Sequence, residues 1–300
     1  MTLTMGGLHV SAEPATSPAI FIFGDSTVDI GTNNFIPESG ARADMPHNGV
    51  DYHGSPPTGR FSNGYNTADS IVRLMGFKES PPSFLYILYT QKQYLTSIQN
   101  FTGLNFASGG SGLLDNTGKV PYTKVVPMGE QVQQFATVGS NLSEALGGDA
   151  ETKIRKSIFL ISVGSNDMFE HFNLTHTCEQ DFMTSLITNY STHLKNLLDL
   201  GATKFGIISV APIGCCPYQR SLNETAFKEI QQACCGKGRF NATTRCEPDA
   251  NLCPDRDEYM FWDQFHPTEF ASQIAAALLY AGPQQIVAPI NFGQLYMLDN

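Results

Sequence analysis

Ala19-Ile20-Phe21-Ile22-Phe23-Gly24-Asp25-Ser26 is the stretch that decides the fold of this chain. An unbroken apolar run closed by a glycine fits a strand covered on both faces, as in the middle of a parallel sheet. Gly24 lets the backbone turn sharply and leaves Ser26 at the carboxyl end of the strand, where open α/β sheets place their ligands. A serine there reads in two ways. It can cap the start of a helix, or it can be a nucleophile if the chain supplies a base and donors for an oxyanion.

The surrounding sequence alternates strands with helices. Helical periodicity is present at Ala68, Ile71, Val72 and Met75, closed by Gly76, and again at Phe182, Leu186, Ile187, Tyr190, Leu194 and Leu197, closed by Gly201. A strand is expected from Lys204 to Val210, and a helix from Glu269 through Leu279 behind Pro267 and Thr268. This alternation predicts an α/β fold, a three-layer α/β/α sandwich around a mostly parallel sheet. Phe35 to Thr58, rich in Pro, Gly and His, reads as a surface loop near the mouth of the site.

Composition bounds the function. Three hundred residues with 41% hydrophobic content suit one domain. The longest apolar run, Ile274 to Ala281, is too short for a membrane span. A net charge of −10 argues against nucleic acid and against adhesion to anionic membranes.

Three further strand tips could complete a site around Ser26. Asn105-Phe106-Ala107-Ser108-Gly109-Gly110-Ser111-Gly112 runs a short strand into a glycine-rich turn that can present bare backbone N–H groups. The rival phosphate cradle lacks GxxxxGK[ST]. Ser157 to Asp167 is a hydrophobic strand ending in small residues and offering the Asn166 amide, although Asn at a strand end is also ordinary turn chemistry. Phe261-Trp262-Asp263-Gln264-Phe265-His266-Pro267-Thr268 places a carboxylate and an imidazole three residues apart, so Asp263 can orient His266. The order Ser…Asp…His is compatible with a triad, which is defined by roles rather than order.

The blocks FIFGDSTVDIGTNN (21–34), GRFSNG (59–64), NFASGGSG (105–112), ISVGSND (161–167) and FWDQFHPT (261–268) resemble the ordered motifs of the plant GDSL esterase/lipases, within the SGNH hydrolase superfamily. The resemblance runs from about residue 18 to the C-terminus. It implies a flavodoxin-like sandwich and a serine ester hydrolase that needs neither metal nor organic cofactor. Residue by residue it implies Ser26 as nucleophile, His266 as base and Asp263 as its partner. The oxyanion would be held by the Ser26 N–H, the Asn166 amide and a glycine N–H within Gly109-Gly110, with Gly110 favoured. The partner is a small-molecule ester of a lipid, an acylated sugar or a plant metabolite, and capture of the acyl group by an alcohol is a variant of the same chemistry. Acyl and alcohol specificity and oligomeric state stay open.

The chain departs from that family between Ala211-Pro212-Ile213-Gly214-Cys215 and Cys234-Cys235-Gly236, where the family carries a long helix and another strand. The fold is therefore expected to lack one strand and one helix, as in an exon-skipped product. A second hypothesis follows: a catalytically inactive secreted glycoprotein in which the shortened region displaces the Asp263–His266 loop. A Ser26–His266 contact within hydrogen-bonding reach favours the enzyme, and a wide gap the inactive form.

Six N-x-[ST] sequons, at Asn100, Asn141, Asn173, Asn189, Asn223 and Asn241, suggest a secretory route and an extracellular protein. Seven cysteines (Cys178, Cys215, Cys216, Cys234, Cys235, Cys246, Cys253) lie in the second half, an odd number that leaves at least one thiol over. Zinc competes for Cys234, Cys235, Cys246 and Cys253, but the spacing lacks C-x₂-C hooks and disulfides fit better. Residues 1–17 show no basic region and no apolar core of a signal peptide. They are expected to be the remnant of a leader ahead of a single domain over 18–300.

Overall fold

The computed structural model describes residues 18–54, 57–91, 101–175, 180–211, 215–218 and 232–298. In chain order the first regular elements are β1 (Ile20–Gly24), α1 (Thr67–Leu74), α2 (Phe84–Thr90), β2 (Gly103–Asn105) and the single turn α3 (Lys119–Tyr122). Next come α4 (Met128–Leu146), α5 (Asp149–Lys156), β3 (Ile158–Ser162), α6 (Ser165–Thr175), α7 (Gln180–Asp199) and β4 (Lys204–Ile208). A small ribbon, β5 (Cys235–Gly236) with β6 (Asn251–Leu252), precedes α8 (Glu269–Ala281) and α9 (Phe292–Met297).

The strands of the main sheet run parallel in the order β2-β1-β3-β4. Alternate side chains of β1 and β3 serve two separate cores, as strands buried on both faces must. Phe21, Phe23, Phe159 and Ile161 face a core closed by α2, α4, α5 and α7, where Phe135 of α4 stands edge-on to Phe21 at 4.9 Å and to Phe159 at 5.1 Å. Ile20, Ile22, Ile158 and Leu160 face the other core, closed by α1, α8 and α9. Three layers result, as the alternation predicts. After β1 the chain moves to one side to make β2 and then to the other to make β3, so the carboxyl ends of β1 and β3 border a topological switch point.

Several boundaries differ from expectation. β4 ends at Ile208 rather than Val210, because β3 turns away at Gly164 (φ 121°) and offers no partner beyond Ser162. β2 stops at Asn105, whose side chain donates to Val28 O (2.8 Å) and accepts from Ala107 N–H (2.9 Å), although Phe106 and Ser108 still donate their N–H groups to Ile22 O (2.7 Å) and Gly24 O (3.0 Å) of β1. Asn166 lies in the first turn of α6, just past the strand end where the sequence placed it. α2, α4 and α5 have no counterpart in the sequence reading.

GRFSNG proves to be an anchor. Arg60 donates twice to Asp69 of α1 (2.7 and 2.9 Å), and Asn63 accepts from the Glu269 N–H that opens α8 (2.8 Å). Both members of the Arg60–Asp69 pair are buried, so removing either leaves an uncompensated charge. Residues 1–17, 212–214, Cys178, Asn100, Asn223 and most of the shortened bridge up to residue 231 lie outside the described residues. Among the described residues no helix is long and apolar enough to cross a membrane.

Candidate active site

Ser26 follows β1 across a turn that only glycine can make. Gly24 adopts φ 149°, and a Cβ there would sit 2.0 Å from Ser162 O. Gln131 of α4 clamps this turn, accepting from Gly24 N–H (2.9 Å) and donating to Gly24 O (2.9 Å). The Ser26 side chain thereby stands at the switch point.

The Asp263–His266 turn arrives from the far end of the chain. Asp263 Oδ1 accepts the N–H groups of Phe265 (2.9 Å) and His266 (3.0 Å), which curls the segment and brings the imidazole back onto its own carboxylate. His266 Nδ1 lies 2.7 and 2.9 Å from the two Asp263 oxygens. A carboxylate only accepts, so Nδ1 carries the proton and Nε2 is left as an acceptor. His266 Nε2 lies 2.7 Å from Ser26 Oγ. All three residues are buried, and the Phe61 ring packs on the imidazole at 4.9 Å. The displaced loop of the inactive alternative is not what the structure contains. Burial alone would raise the Asp263 carboxyl, but the charge and hydrogen bonds of His266 outweigh it and hold the group below its ordinary value.

The expected donors line the same cleft, which has a volume of about 1020 Å³. Two glycines compete for the backbone role, and the hydrogen bonds separate them. Gly109 N–H is committed to Asp29 Oδ2 (2.8 Å), whereas Gly110 N–H has no partner among the described residues. Gly110 takes φ 79°, and a Cβ there would sit 2.5 Å from the Tyr122 ring. Asn166 Nδ2 donates to Ser111 O (2.8 Å), which leaves its second N–H for a ligand.

Residues given no role in the sequence reading pin this glycine-rich segment on two sides. Asp29 accepts from Gly31, Thr32 and Gly109, each at 2.8 Å, while Asn33 donates to Gly109 O (2.8 Å) and accepts from Ser108 (2.6 Å). From the other side Asp167 accepts from Leu113 (2.8 Å), Leu114 (3.0 Å) and Thr117 (2.7 Å). Burial pushes Asp29 up to about 6 against those N–H bonds, and it raises Asp167 also. Asp25, beside the nucleophile, is likewise pushed up to about 6 by burial, with Thr27 and the His266 charge opposing. Its Oδ2 has no hydrogen-bond partner among the described residues.

The four clustered cysteines form disulfides, Cys234–Cys253 and Cys235–Cys246.

A buried Asp–His–Ser relay at the switch point of a parallel three-layer sandwich is the arrangement of a serine hydrolase. The chain belongs to the GDSL-like lipase/acylhydrolase family, whose family model matches residues 20–279. Among similar proteins of Arabidopsis thaliana is GDSL esterase/lipase At5g55050, 31% identical over an alignment covering 94% of this chain and 90% of that protein. GDSL esterase/lipase At3g50400 is 32% identical, covering 91% and 89%, and GDSL esterase/lipase LTL1 is 29% identical, covering 96% and 93%. The alignment with At5g55050 runs over 343 positions against the 300 residues of this chain, so at least 43 positions of it have no counterpart here. The family defines a serine-dependent carboxylic ester hydrolase.

Proposed function

We propose that Ser26, His266 and Asp263 hydrolyse carboxylic esters through an acyl-enzyme. Ser26 Oγ attacks the ester carbonyl while His266 Nε2 takes its proton, and Asp263 steadies the imidazolium. The Ser26 N–H, the Gly110 N–H and the Asn166 amide hold the oxyanion of the tetrahedral intermediate. Its collapse expels the alcohol, which receives the proton from His266. Water, deprotonated by His266, then attacks the acyl-enzyme and frees Ser26. The observation that carries this reading is the 2.7 Å contact from His266 Nε2 to Ser26 Oγ, with Nδ1 held by Asp263. Ser26→Ala tests it: hydrolysis of p-nitrophenyl acetate should fall by several orders of magnitude with an unchanged melting temperature. Activity within threefold of the parent would remove Ser26 from the chemistry.

We also infer that the substrates are esters of lipids, acylated sugars or plant metabolites, and that the protein is secreted and glycosylated. Two disulfides suit an oxidising compartment. Among the four described sequons Asn173 is exposed and Asn141 half-buried, whereas the amides of Asn189 and Asn241 are occupied by Ser185 O and Ala233 O. A mass shift on enzymatic deglycosylation of protein from the native tissue, lost in Asn173→Gln, is the expected result. An unshifted mass would count against the secretory route.

A further inference from the structure

Tyr122, the last residue of α3, is held against the oxyanion glycine from several directions. A Cβ on Gly110 would sit 2.5 Å from its ring, and one on Gly118, which opens the turn, 2.2 Å from Gly110 O. The backbone O of Tyr122 accepts from Gly40 N–H (2.9 Å), and Glu170 accepts from Gly118 N–H. Arg245 donates to Gly40 O (2.9 Å) and lies over the Tyr122 ring, 5.3 Å from its centroid. Thr123 closes the turn at φ 63° and ψ −53°, outside the ordinary regions for a β-branched residue. Strain of this kind persists only where the surroundings impose it, and it gathers at ligand sites.

These contacts fix the ring and make no use of its hydroxyl. The side chain is half-buried and lines the cleft, yet Oη has no hydrogen-bond partner among the described residues. Burial pushes its pKa up, with the Arg245 charge opposing and those of Asp263 and Glu170 adding. The hydroxyl therefore keeps its proton at neutral pH and is available as a donor. Arg245, Asp263 and Glu170 line the same cleft, so the hydroxyl faces the space in which Ser26 and His266 act.

We propose that the Tyr122 hydroxyl donates to the alcohol half of the substrate, and that Tyr122, Arg245 and Glu170 form a subsite selecting esters of polyhydroxylated alcohols, a sugar or polyol, over esters of plain alkyl alcohols. The inference rests on the Ser26–His266 reading. His266 Nε2 returns its proton to the leaving oxygen, so the alcohol lies on the side of the Asp263–His266 turn. Tyr122 faces that side, since the charge of Asp263 reaches it. The chemistry of the three residues names the occupant. Arg245 keeps N–H groups beyond the one given to Gly40 O, and Glu170 keeps one oxygen beyond the one given to Gly118. Donors, an acceptor and a hydroxyl that can serve as either match the neighbouring hydroxyls of a sugar, and an alkyl alcohol leaves them unpaired. One positive and one negative charge suit a neutral ligand. Arg42, the other cation lining this part, is paired with Asp44 at 2.8 Å.

The test compares two acetates with one acyl group: glucose acetylated at its primary hydroxyl, and cyclohexylmethyl acetate, which has a ring but no free hydroxyl. In kcat/KM the parent should favour the sugar ester by about tenfold or more. Tyr122→Phe keeps the ring over Gly110, and it should lower the sugar-to-cyclohexyl ratio about fivefold, the worth of one neutral hydrogen bond. A merely structural hydroxyl would lower both esters in proportion, and an unmoved ratio in Tyr122→Phe overturns the proposal. A parent that shows no preference while still cleaving p-nitrophenyl acetate overturns the subsite and spares the hydrolase. A parent that cleaves none of the three esters overturns both.

Discussion

At the residue scale the site depends on how few groups near Ser26 remain uncommitted. Gly109 N–H is taken by Asp29, so the free donor beside it is Gly110 N–H, and Asn166 keeps one N–H after satisfying Ser111 O. An amide that acts on the developing oxyanion should affect the transition state alone. Asn166→Ala is thus expected to lower kcat by roughly 10²–10³ with KM nearly unchanged. A fall in melting temperature with normal kcat would make the Ser111 bond its whole purpose. Asp25 makes a different case. Its folded pKa, about 6, lies above the unfolded value of 3.8, so the folded state binds the extra proton. Stability therefore falls as pH rises from about 4 to about 6 and the loss is complete above that. Asp25→Asn keeps an acceptor for Thr27 and removes the buried charge. It should melt higher than the parent at pH 8, by up to roughly 3 kcal/mol in stability, and match it near pH 4. A pH-independent difference would show that the carboxyl is not the cause. Ser26, Asp263 and His266 were legible in the sequence because each sits in a compact local pattern. Gln131 was not, since it acts 107 residues away from the turn it clamps, and neither was the reach of Asp29 to Gly109, 80 residues on. No local spacing encodes such contacts.

At the element scale the Asp263–His266 turn is carried by its neighbours rather than by a strand of the main sheet. Cys234 and Cys235 donate their N–H groups to Phe261 O (3.0 Å) and Trp262 O (2.7 Å), while Gln264 donates to Ala242 O (2.8 Å). Trp262 is fully buried among the cysteines, and its indole N–H bonds Asn48 (3.0 Å). The two disulfides close loops of 19 and 11 residues around this contact. Each such closure is worth about 3 kcal/mol. Cys235→Ser with Cys246→Ser should lower the melting temperature, and it should also lower kcat well below that temperature, because the turn loosens before the sheet does. Unchanged kcat with an unchanged far-UV spectrum would show that the turn holds itself. The sequence left the pairing open, since four cysteines allow three connectivities. It also left α4 unread, although Met128, Val132, Phe135, Val138 and Leu142 recur at helical spacing. Two glycines, two serines and three glutamines within that run obscured the signal. β1 and β3 posed no such difficulty, because strands buried on both faces read as continuous apolar runs.

At the scale of the whole molecule, the two edges of the sheet differ among the described residues. Next to β2, Ser83 bridges Asn105 in parallel fashion, extending cover to that edge. Next to β4 no described strand follows, and Ile207 and Val210 are 42% and 39% exposed. An uncovered edge with apolar neighbours favours association with other chains. The alignment with At5g55050 carries at least 43 positions that this chain lacks, and a segment missing ahead of Cys234 is the expectation that the motif spacing of this chain raises. Covering β4 with a strand would pair its free edge and bury those side chains, which is worth several kcal/mol against a typical stability of roughly 5–15 kcal/mol. A chimera that receives the At5g55050 segment between Asn223 and Ala233 should then melt higher and express in more soluble form. A chimera with equal melting temperature and equal solubility would mean that the shortened chain already closes its own edge.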